Sequence, residues 1–388
     1  MPAFYSLLFR NGVFNVFVIF IIMMLVISTA AGIYIFFRLR HLLEFYGADT
    51  SKKWIKAVNI ILAVILALFC TVLFSNAAII ILHITAAFML FDIIAYVTGR
   101  IYGKRQRSRT ADALLKLCQC GILPLLTALA IIGYGYYNMN HIRETEYIIN
   151  TDKITGSYRV LFLSDIHYGT VQDTKVLKDK ISEINSQHPD IVILGGDITE
   201  EGTSKEEMQE VFGMLGRLEN KHGIYYVYGN HDRQPYTSHR TYTDEELGQA
   251  ILQNGITILE DNYIEIGKDL ILAGRADATM GRTSDRLPPG EILKGADKGK
   301  YIIMADHQPA EAAENNKNNV DLEISGHTHG GQIWPAGPVS EIAGVLNYGE
   351  YKEGNCKIIV SSGIAGWTYS MRTGKHCEYV VIDIKGKR

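Results

Sequence analysis

The sequence predicts a chain in two parts: an all-α membrane domain of four transmembrane helices, then a layered α/β domain with mixed β-sheets. Three observations predict it. Four long apolar runs crowd into the first 140 of the 388 residues. From about residue 158, short apolar runs alternate with helix-forming segments and then give way to a succession of strands, the pattern of layered α/β domains. The charge divides at the same place. Residues 1–140 carry twelve Lys/Arg against four Asp/Glu, a balance of +8, whereas residues 141–388 carry 26 against 37, a balance of −11. The expected organisation is therefore a membrane domain over 1–140, a linker over 141–157 and the layered α/β domain over 158–388.

The composition excludes several classes. Hydrophobic residues make up 47% of the chain, too many for a disordered protein. Five cysteines in 388 residues do not make a disulfide scaffold. A net charge of −3 lacks the basic footprint of a nucleic-acid binder, so no nucleic-acid partner is expected.

The four apolar runs are residues 15–37, 58–74, 77–97 and 117–139. A membrane span needs about 20 apolar residues. The first run also exceeds the apolar core of a secretory signal, which is about 7–15 residues. Basic residues set the expected orientation. Arg38, Arg40, Lys52, Lys53 and Lys56 follow the first run, and Arg100, Lys104, Arg105, Arg107 and Arg109 follow the third. Arg10 alone precedes the first run, and the link at Ser75 and Asn76 carries no charge. Both basic loops are expected in the cytoplasm, which places the second domain outside it. Within the third run, His83 and Asp92 are nine positions apart, hence on opposite helix faces. Intramembrane ionisable groups are candidates for relays. The simpler expectation is an interhelical hydrogen bond for His83 and an interfacial position for Asp92.

In the second domain, strands are expected at 159–164, 191–196, 223–229, 256–259, 263–266, 270–273, 301–305, 320–324, 357–361 and 379–384. Helices are expected over 171–187, with Val176, Leu177, Ile181 and Ile184 near helical spacing, and over 204–218, opened by the capping pattern SKEE. A third helix is expected over 244–253.

Five segments, each just past a predicted strand, supply groups that can ligate metal. This is where open α/β sheets build their sites. SDIHYG offers Asp165 and His167, GGDI offers Asp197, and GNHD offers Asn230 and His231 with Asp232 beside them. DHQP offers His307, and SGHTHGGQIW offers His327 and His329. Phosphate-ester hydrolysis is well served by two cations about 3.5–4 Å apart, which activate water and clamp the in-line transition state. Mixed His, Asp and Asn ligands suit Mn, Fe or Zn rather than Ca or thiolate metals. The glycines around these residues permit close backbone approach and positive φ.

These motifs resemble the calcineurin-like metallophosphoesterase superfamily, with Asp-x-His, Gly-Asp, Gly-Asn-His-Asp, a lone His and Gly-His-x-His present in order over roughly residues 158–384. The ending GHTHGGQ behind a membrane region looks like its bacterial transmembrane subgroup. The resemblance implies that Asp165, His167 and His329 hold one divalent metal, that Asn230, His307 and His327 hold the other, and that Asp197 bridges them. It implies that His231 contacts the phosphate and protonates the leaving group, oriented by Asp232. A histidine suits that work because its pKa lies near working pH. Two departures stand out: Ile198, Thr199, Glu200 and Glu201 follow the second motif, where one further acidic residue is common, and Asp306 precedes the fourth, where a small residue is common.

The implied activity is hydrolysis of a phosphate monoester, diester or pyrophosphate bond by metal-bound hydroxide, on a lipid or cell-envelope substrate, by a protein held in the bilayer. The alternative is a catalytically silent membrane scaffold or sensor; such proteins lose ligands, and here all seven positions are retained. Tyr168, Trp334, Trp367 and Tyr369 are aromatics that could wall the pocket or meet a membrane interface. Arg372 is a candidate for substrate phosphate or for an exposed ion pair. Cys356 and Cys377 lie in the outward-facing part, where an oxidising exterior permits a disulfide without requiring one.

Overall fold

The computed structural model describes residues 12–72, 75–102, 108–278 and 286–386. Arg10, Lys104, Arg105 and Arg107 from the charge reading lie outside the described residues, as do the last two residues of the second apolar run. The chain divides into two compact units, Met1–Tyr134 and Gly135–Arg388.

The first unit is helical: α1 (Gly12–Phe45), α2 (Lys53–Thr71), α3 (Asn76–Tyr102), α4 (Arg109–Gln119) and α5 (Ile122–Met139), whose last turn belongs to the second unit. Four stretches are long and apolar enough to cross a membrane: Leu25–Phe45, Lys53–Thr71, Asn76–Ile101 and Ile122–Met139. Large apolar side chains such as Ile33, Leu68, Ile93 and Leu126 face outward, while Ala31, Ala63, Ala78, Ala87 and Ala128 are buried. That inversion suits lipid, where helices associate through small residues rather than by expelling water. The fourth apolar run is shorter than expected at its start. Gly121, at φ +88°, separates it from α4, whose own N-terminus is capped by Ser108 Oγ accepting from Ala111 N at 3.2 Å.

Asp92 settles differently from expectation. It is bound across helices, accepting from Tyr34 Oη at 2.6 Å and pairing with Arg38 at 3.5 Å. His83 Nδ1 lies 2.8 Å from Ile79 O in its own helix. Arg38 continues α1 instead of starting a loop, and it is buried. Its guanidinium donates to Cys118 O and Gln119 O at 2.9 and 3.1 Å. This adds to the bond that Cys118 O accepts from Gly121 N at the end of α4, where carbonyls run out of helical partners.

The second unit contains, in chain order, β1 (Arg143–Thr151), β2 (Ser157–Leu163), α6 (Thr174–Asn185), β3 (Ile191–Leu194), α7 (Lys205–Leu215), β4 (Ile224–Tyr226), α8 (Asp244–Gln253) and β5 (Ile256–Ile258). Then come β6 (Asn262–Ile266), β7 (Leu270–Gly274), α9 (Pro289–Ile292), β8 (Tyr301–Ala305), α10 (Ala312–Lys317) and β9 (Leu322–Ser325). It ends with α11 (Ala336–Ile342), β10 (Gly349–Glu353), β11 (Cys356–Val360) and β12 (Glu378–Gly386). Two six-stranded sheets result, ordered β1-β12-β2-β3-β4-β5 and β10-β11-β9-β8-β7-β6. Both are mixed: β12 runs antiparallel to β2, β10 to β11 and β6 to β7, and the other pairs are parallel.

The two-residue period of the strands sorts their side chains into layers. Val160 and Phe162 of β2 point to a core between the sheets, with Ile193, Leu272, Ile303 and Ile324. Leu161 and Leu163 point the other way, under α6 and α7, with Leu177, Ile184, Val211 and Phe212. The outer face of the second sheet buries Ile302, Met304 and Ile358 beneath α9 and its neighbours. The result is a helix/sheet/sheet/helix stack whose parallel strands β2, β3, β4, β8 and β9 all end at one rim.

Residues 141–157, expected as a linker, include β1, which pairs in parallel with β12 from Arg143↔Glu378 to Thr151↔Gly386. Of β1, Ile149 reaches the core between the sheets and Tyr147 packs against it partly buried, so its sequence carries a short apolar signal. Cys356 and Cys377 do not pair. They are buried in different cores, under opposite outer faces of the stack, and all five cysteines are free. We expect denatured protein, without reductant, to titrate as five free thiols; fewer would mean that a bond forms which this packing forbids.

Candidate metal centre

The rim is built by forcing side chains inward. Asp165, His167, Asp197, His327 and His329 all have positive φ, at 54°, 43°, 51°, 68° and 50°. Non-glycine residues avoid this region, and such strain persists only where the surroundings over-determine it. Here the surroundings are main-chain hydrogen bonds between neighbouring loops. His167 N donates to Asp197 O at 3.0 Å, and His327 N to Asp165 Oδ1 at 3.0 Å. His231 N donates to Asp197 Oδ1 at 2.8 Å. Two glycines let the loops close this tightly: a Cβ on Gly229 would fall on the Asp197 carboxylate, and one on Gly326 on that of Asp165.

Two groups of ligand-type atoms converge. Asp165, His167 and His329 form one, and Asp197, His307 and His327 the other, each within 4.8 Å. Asn230 joins the second group, its Oδ1 3.2 Å from His307 Nε2. The Asp197 carboxylate lies between the groups, with Oδ2 3.2 Å from His307 Nε2 and 3.8 Å from His167 Nε2. His167 Nε2 is buried with no hydrogen-bond partner, an arrangement that costs free energy unless something else fills its coordination. The remaining nitrogens are oriented from behind: His307 Nδ1 lies 2.8 Å from Gly195 O and His329 Nδ1 3.2 Å from Ala365 O. That is how metal-binding histidines are usually fixed.

Charge follows geometry. Burial opposes ionisation of Asp197, yet the imidazoles of His307, His167 and His231 outweigh it and hold its carboxyl well below the usual range. Burial likewise opposes a charge on His307, but Asp197 raises it well above an ordinary histidine. Burial pushes His327 down to about 4, reinforced by His307. His329 is pushed down to about 3 by burial, against the pull of Asp165. His327 and His329 are therefore neutral near pH 7, the state in which an imidazole ligates a cation.

Two residues take other places than expected, Asp232 and Arg372, and two glutamates without an expected place lie close to the histidines. Asp232 does not face the His231 ring. Its carboxylate accepts main-chain N–H groups from Gly229 at 2.6 Å, Asp197 at 2.8 Å, Ile198 at 2.8 Å and Thr199 at 3.1 Å. The carboxylate on His231 belongs to Glu201, with Oε2 2.6 Å from Nδ1. Glu200 Oε2 lies 3.1 Å from His167 Nδ1, off the line of a hydrogen bond. The sequence did mark these two glutamates as a departure after the second motif. What hid their role is that the loop turns them back over the rim. Arg372 is fully buried; its terminal nitrogens donate to His329 O at 2.9 Å, His376 O at 2.6 Å and Ser362 O at 2.5 Å. It ties the His329 loop to its neighbours and offers no exposed cation.

Of the aromatics, Tyr168 is buried and donates to Glu210 at 2.9 Å. The rings of Trp367 and Tyr236 lie 5.2 and 5.1 Å from that of His231. The two carboxylates near His231 should separate by experiment. Asp232→Ala strips an acceptor from four buried N–H groups and should cost about 3 kcal/mol or more. Glu201→Gln keeps a neutral acceptor beside His231 Nδ1 and Tyr236 N and should cost about 1 kcal/mol, clearly less than Asp232→Ala. Thermal unfolding of the two variants side by side checks this.

Residues 158–331 match the family described as calcineurin-like phosphoesterase. An uncharacterized metallophosphoesterase of Helicobacter pylori (strain J99) is 30% identical over 253 residues, 63% of this chain and 65% of that one, so the chain spans just under two thirds of its length. The Bacillus subtilis metallophosphoesterase YkuE is 30% identical over 278 residues, 67% of this chain and 92% of its own. A Danio rerio transmembrane protein with a metallophosphoesterase domain is 25% identical over 305 residues, 74% of this chain and 67% of that one. A Bacillus relative matched over most of its length, and a family match that takes in every residue of the rim from Asp165 to His329, lead to one conclusion: this chain belongs to the calcineurin-like phosphoesterase family.

Proposed function

We propose that the protein is a membrane-anchored, metal-dependent phosphoesterase with two divalent cations at the rim. The observation that carries this reading is the Asp197 carboxylate set between two groups of histidine, carboxylate and amide ligand atoms. Asp165, His167 and His329 would hold one cation. Asn230, His307 and His327 would hold the other, and Asp197 would serve both. The donor set suits Mn, Fe or Zn, and the unpartnered His167 Nε2 fits a cation's need for a lone pair. Cations bound there would supply Lewis acidity to a phosphoryl group and lower the pKa of water.

The chain's own residues would do the rest. With His231 Nδ1 on Glu201, Nε2 is the nitrogen left for a substrate oxygen. Burial works against a proton on His231, but Glu201 and Asp197 outweigh it and raise its pKa. That favours the protonated ring a leaving group needs. Glu201 thus takes the orienting part that the sequence assigned to Asp232, and Asp232 instead holds the backbone that presents Asp197. Trp367 and Tyr236 flank the His231 ring and would restrict what leaves beside it.

The substrate class is a phosphate monoester, diester or pyrophosphate, and the basic residues bordering the apolar helices favour a domain outside the cytoplasm. An envelope phosphate or a lipid headgroup fits that side. A silent scaffold would have no use for seven converging ligand residues.

The test uses the full chain, because a cut near residue 147 would remove half of β1. Metal-stripped protein should regain hydrolysis of a chromogenic phosphate ester with Mn, Zn or Fe, and chelator should abolish it. Outer-shell partners of a metal are each worth roughly 10–100-fold, so Asp197→Asn should cost more than that. Turnover untouched by chelator or by Asp197→Asn would end this reading. A C-terminal alkaline phosphatase fusion should be active in intact cells; an inactive one beside a fluorescent green fluorescent protein fusion would reverse the orientation.

A further inference from the structure

The segment of residues 334–345 follows the His327–Gly331 loop directly, and it turns its apolar side chains outward. Trp334 is 65% exposed, Val339 59% and Ile342 88%, with Val345 exposed beside them. Glu341 is the one charged residue in the segment. Single exposed apolar residues need no explanation, but four in one short, nearly uncharged segment mark an interaction surface. The segment is not a loose flap. Gly337 of α11 is buried, and a Cβ on Gly331 would collide with it. α11 is therefore seated on the two residues that follow His329.

What covers this face is indicated by what adjoins it. Trp334 N donates to Thr373 Oγ1 at 3.1 Å. Thr373 abuts Gly135, where a Cβ would come within 2.9 Å of its methyl group. Arg372 N donates to Gly135 O at 2.9 Å, and Asn138 Nδ2 to Arg372 O at 3.0 Å. Residues 135–139 are the last turn of α5, a helix long and apolar enough to cross a membrane. That turn also displays Tyr136 and Tyr137, 63% and 55% exposed, and tyrosines gather where a spanning helix leaves the bilayer. Trp334 is thus joined, through Thr373, to a helix end that carries the signature of a membrane–water boundary.

We infer that Trp334 and α11 rest in the interfacial layer of a lipid bilayer, so that the rim's His327–His329 loop is held at headgroup depth. The occupant of this face is lipid. For the substrate, the consequence rests on the phosphoesterase reading: the phosphate within reach would be one carried in or on the headgroup layer. The surface itself does not depend on that reading.

The experiment places the full chain in phosphatidylethanolamine/phosphatidylglycerol vesicles with brominated acyl chains. The chain has three tryptophans, Trp54, Trp334 and Trp367, so the difference between the parent and Trp334→Phe isolates one of them. Bromolipid should quench most of the Trp334 emission and aqueous iodide little of it. Should Trp334→Phe not fold, Ile342→Trp adds a reporter on the same face. Quenching by iodide and not by bromolipid would overturn the inference. Shielding from both, with cross-linking between copies at position 342, would give the face to a second copy and overturn it equally. In parallel, Val339→Ser with Ile342→Ser should lower hydrolysis of a vesicle-borne phosphate ester at least about tenfold, given how steeply interfacial binding follows buried apolar area, and spare a soluble ester. Absence of any hydrolysis would count against the enzymatic reading alone, because the quenching result stands without it.

Discussion

Four main-chain N–H groups, from Gly229, Asp197, Ile198 and Thr199, converge on the carboxylate of Asp232. Those groups belong to two separate loops, one following β3 and one following β4. Without a shared acceptor, each loop would bury unsatisfied donors, which cost more than most contacts return. With it, the backbone turns sharply enough to put Asp197 in a left-handed conformation and aim its carboxylate across the rim. The loop after β2 then leans on Asp197 O through the N–H groups of Ile166 and His167, and the loop after β9 leans on Asp165 through His327 N. One acceptor thus orders four of the five loops, two directly and two through neighbours.

This arrangement explains why the motif order was legible and the division of labour was not. A ligand residue at a strand end shows itself by type and spacing: Asp165 and His167 after β2, Asn230 after β4, His307 after β8. Which carboxylate stands behind which imidazole depends on how the loops fold back over one another, and that is a tertiary matter. Asp232 lies next to His231 in sequence, yet the turn points the two side chains apart. Glu201, thirty positions away, closes on the ring instead. Arg372 shows the same limit. Its type suits a phosphate, but three carbonyls of neighbouring loops needed a donor, and burial decided the matter.

The fold divided in the same way. Strands that are buried on both faces, such as β3 and β8, announce themselves as continuous apolar runs. β1 lays only Tyr147 and Ile149 against the core between the sheets, so its alternation is short and it read as a linker. In the helical unit, length and apolarity located four helices, while the partners of the polar groups did not follow from helix faces alone. Asp92 meets Arg38 and Tyr34 because α1 continues past its apolar run. No local rule says where a helix may stop once another element satisfies its ends.

The pairing of β1 with β12 has a consequence for the order in which the molecule can be assembled. Glu144 and Tyr379, joined by a hydrogen bond of 2.7 Å, are separated by 235 positions. β12 also supplies the only neighbour of β2 on that side of the sheet. Loop-closure entropy must be met before so distant a contact returns anything. The helices at the start of the chain are each closed by local hydrogen bonds and find their partners within about the first 120 residues, so they can form as they are synthesised. The first strand after them stays unpaired until nearly the whole chain has emerged. A nascent chain of this protein therefore exposes an open sheet edge next to a finished helical segment for most of its synthesis. Chaperones of the compartment that receives it have that interval in which to act.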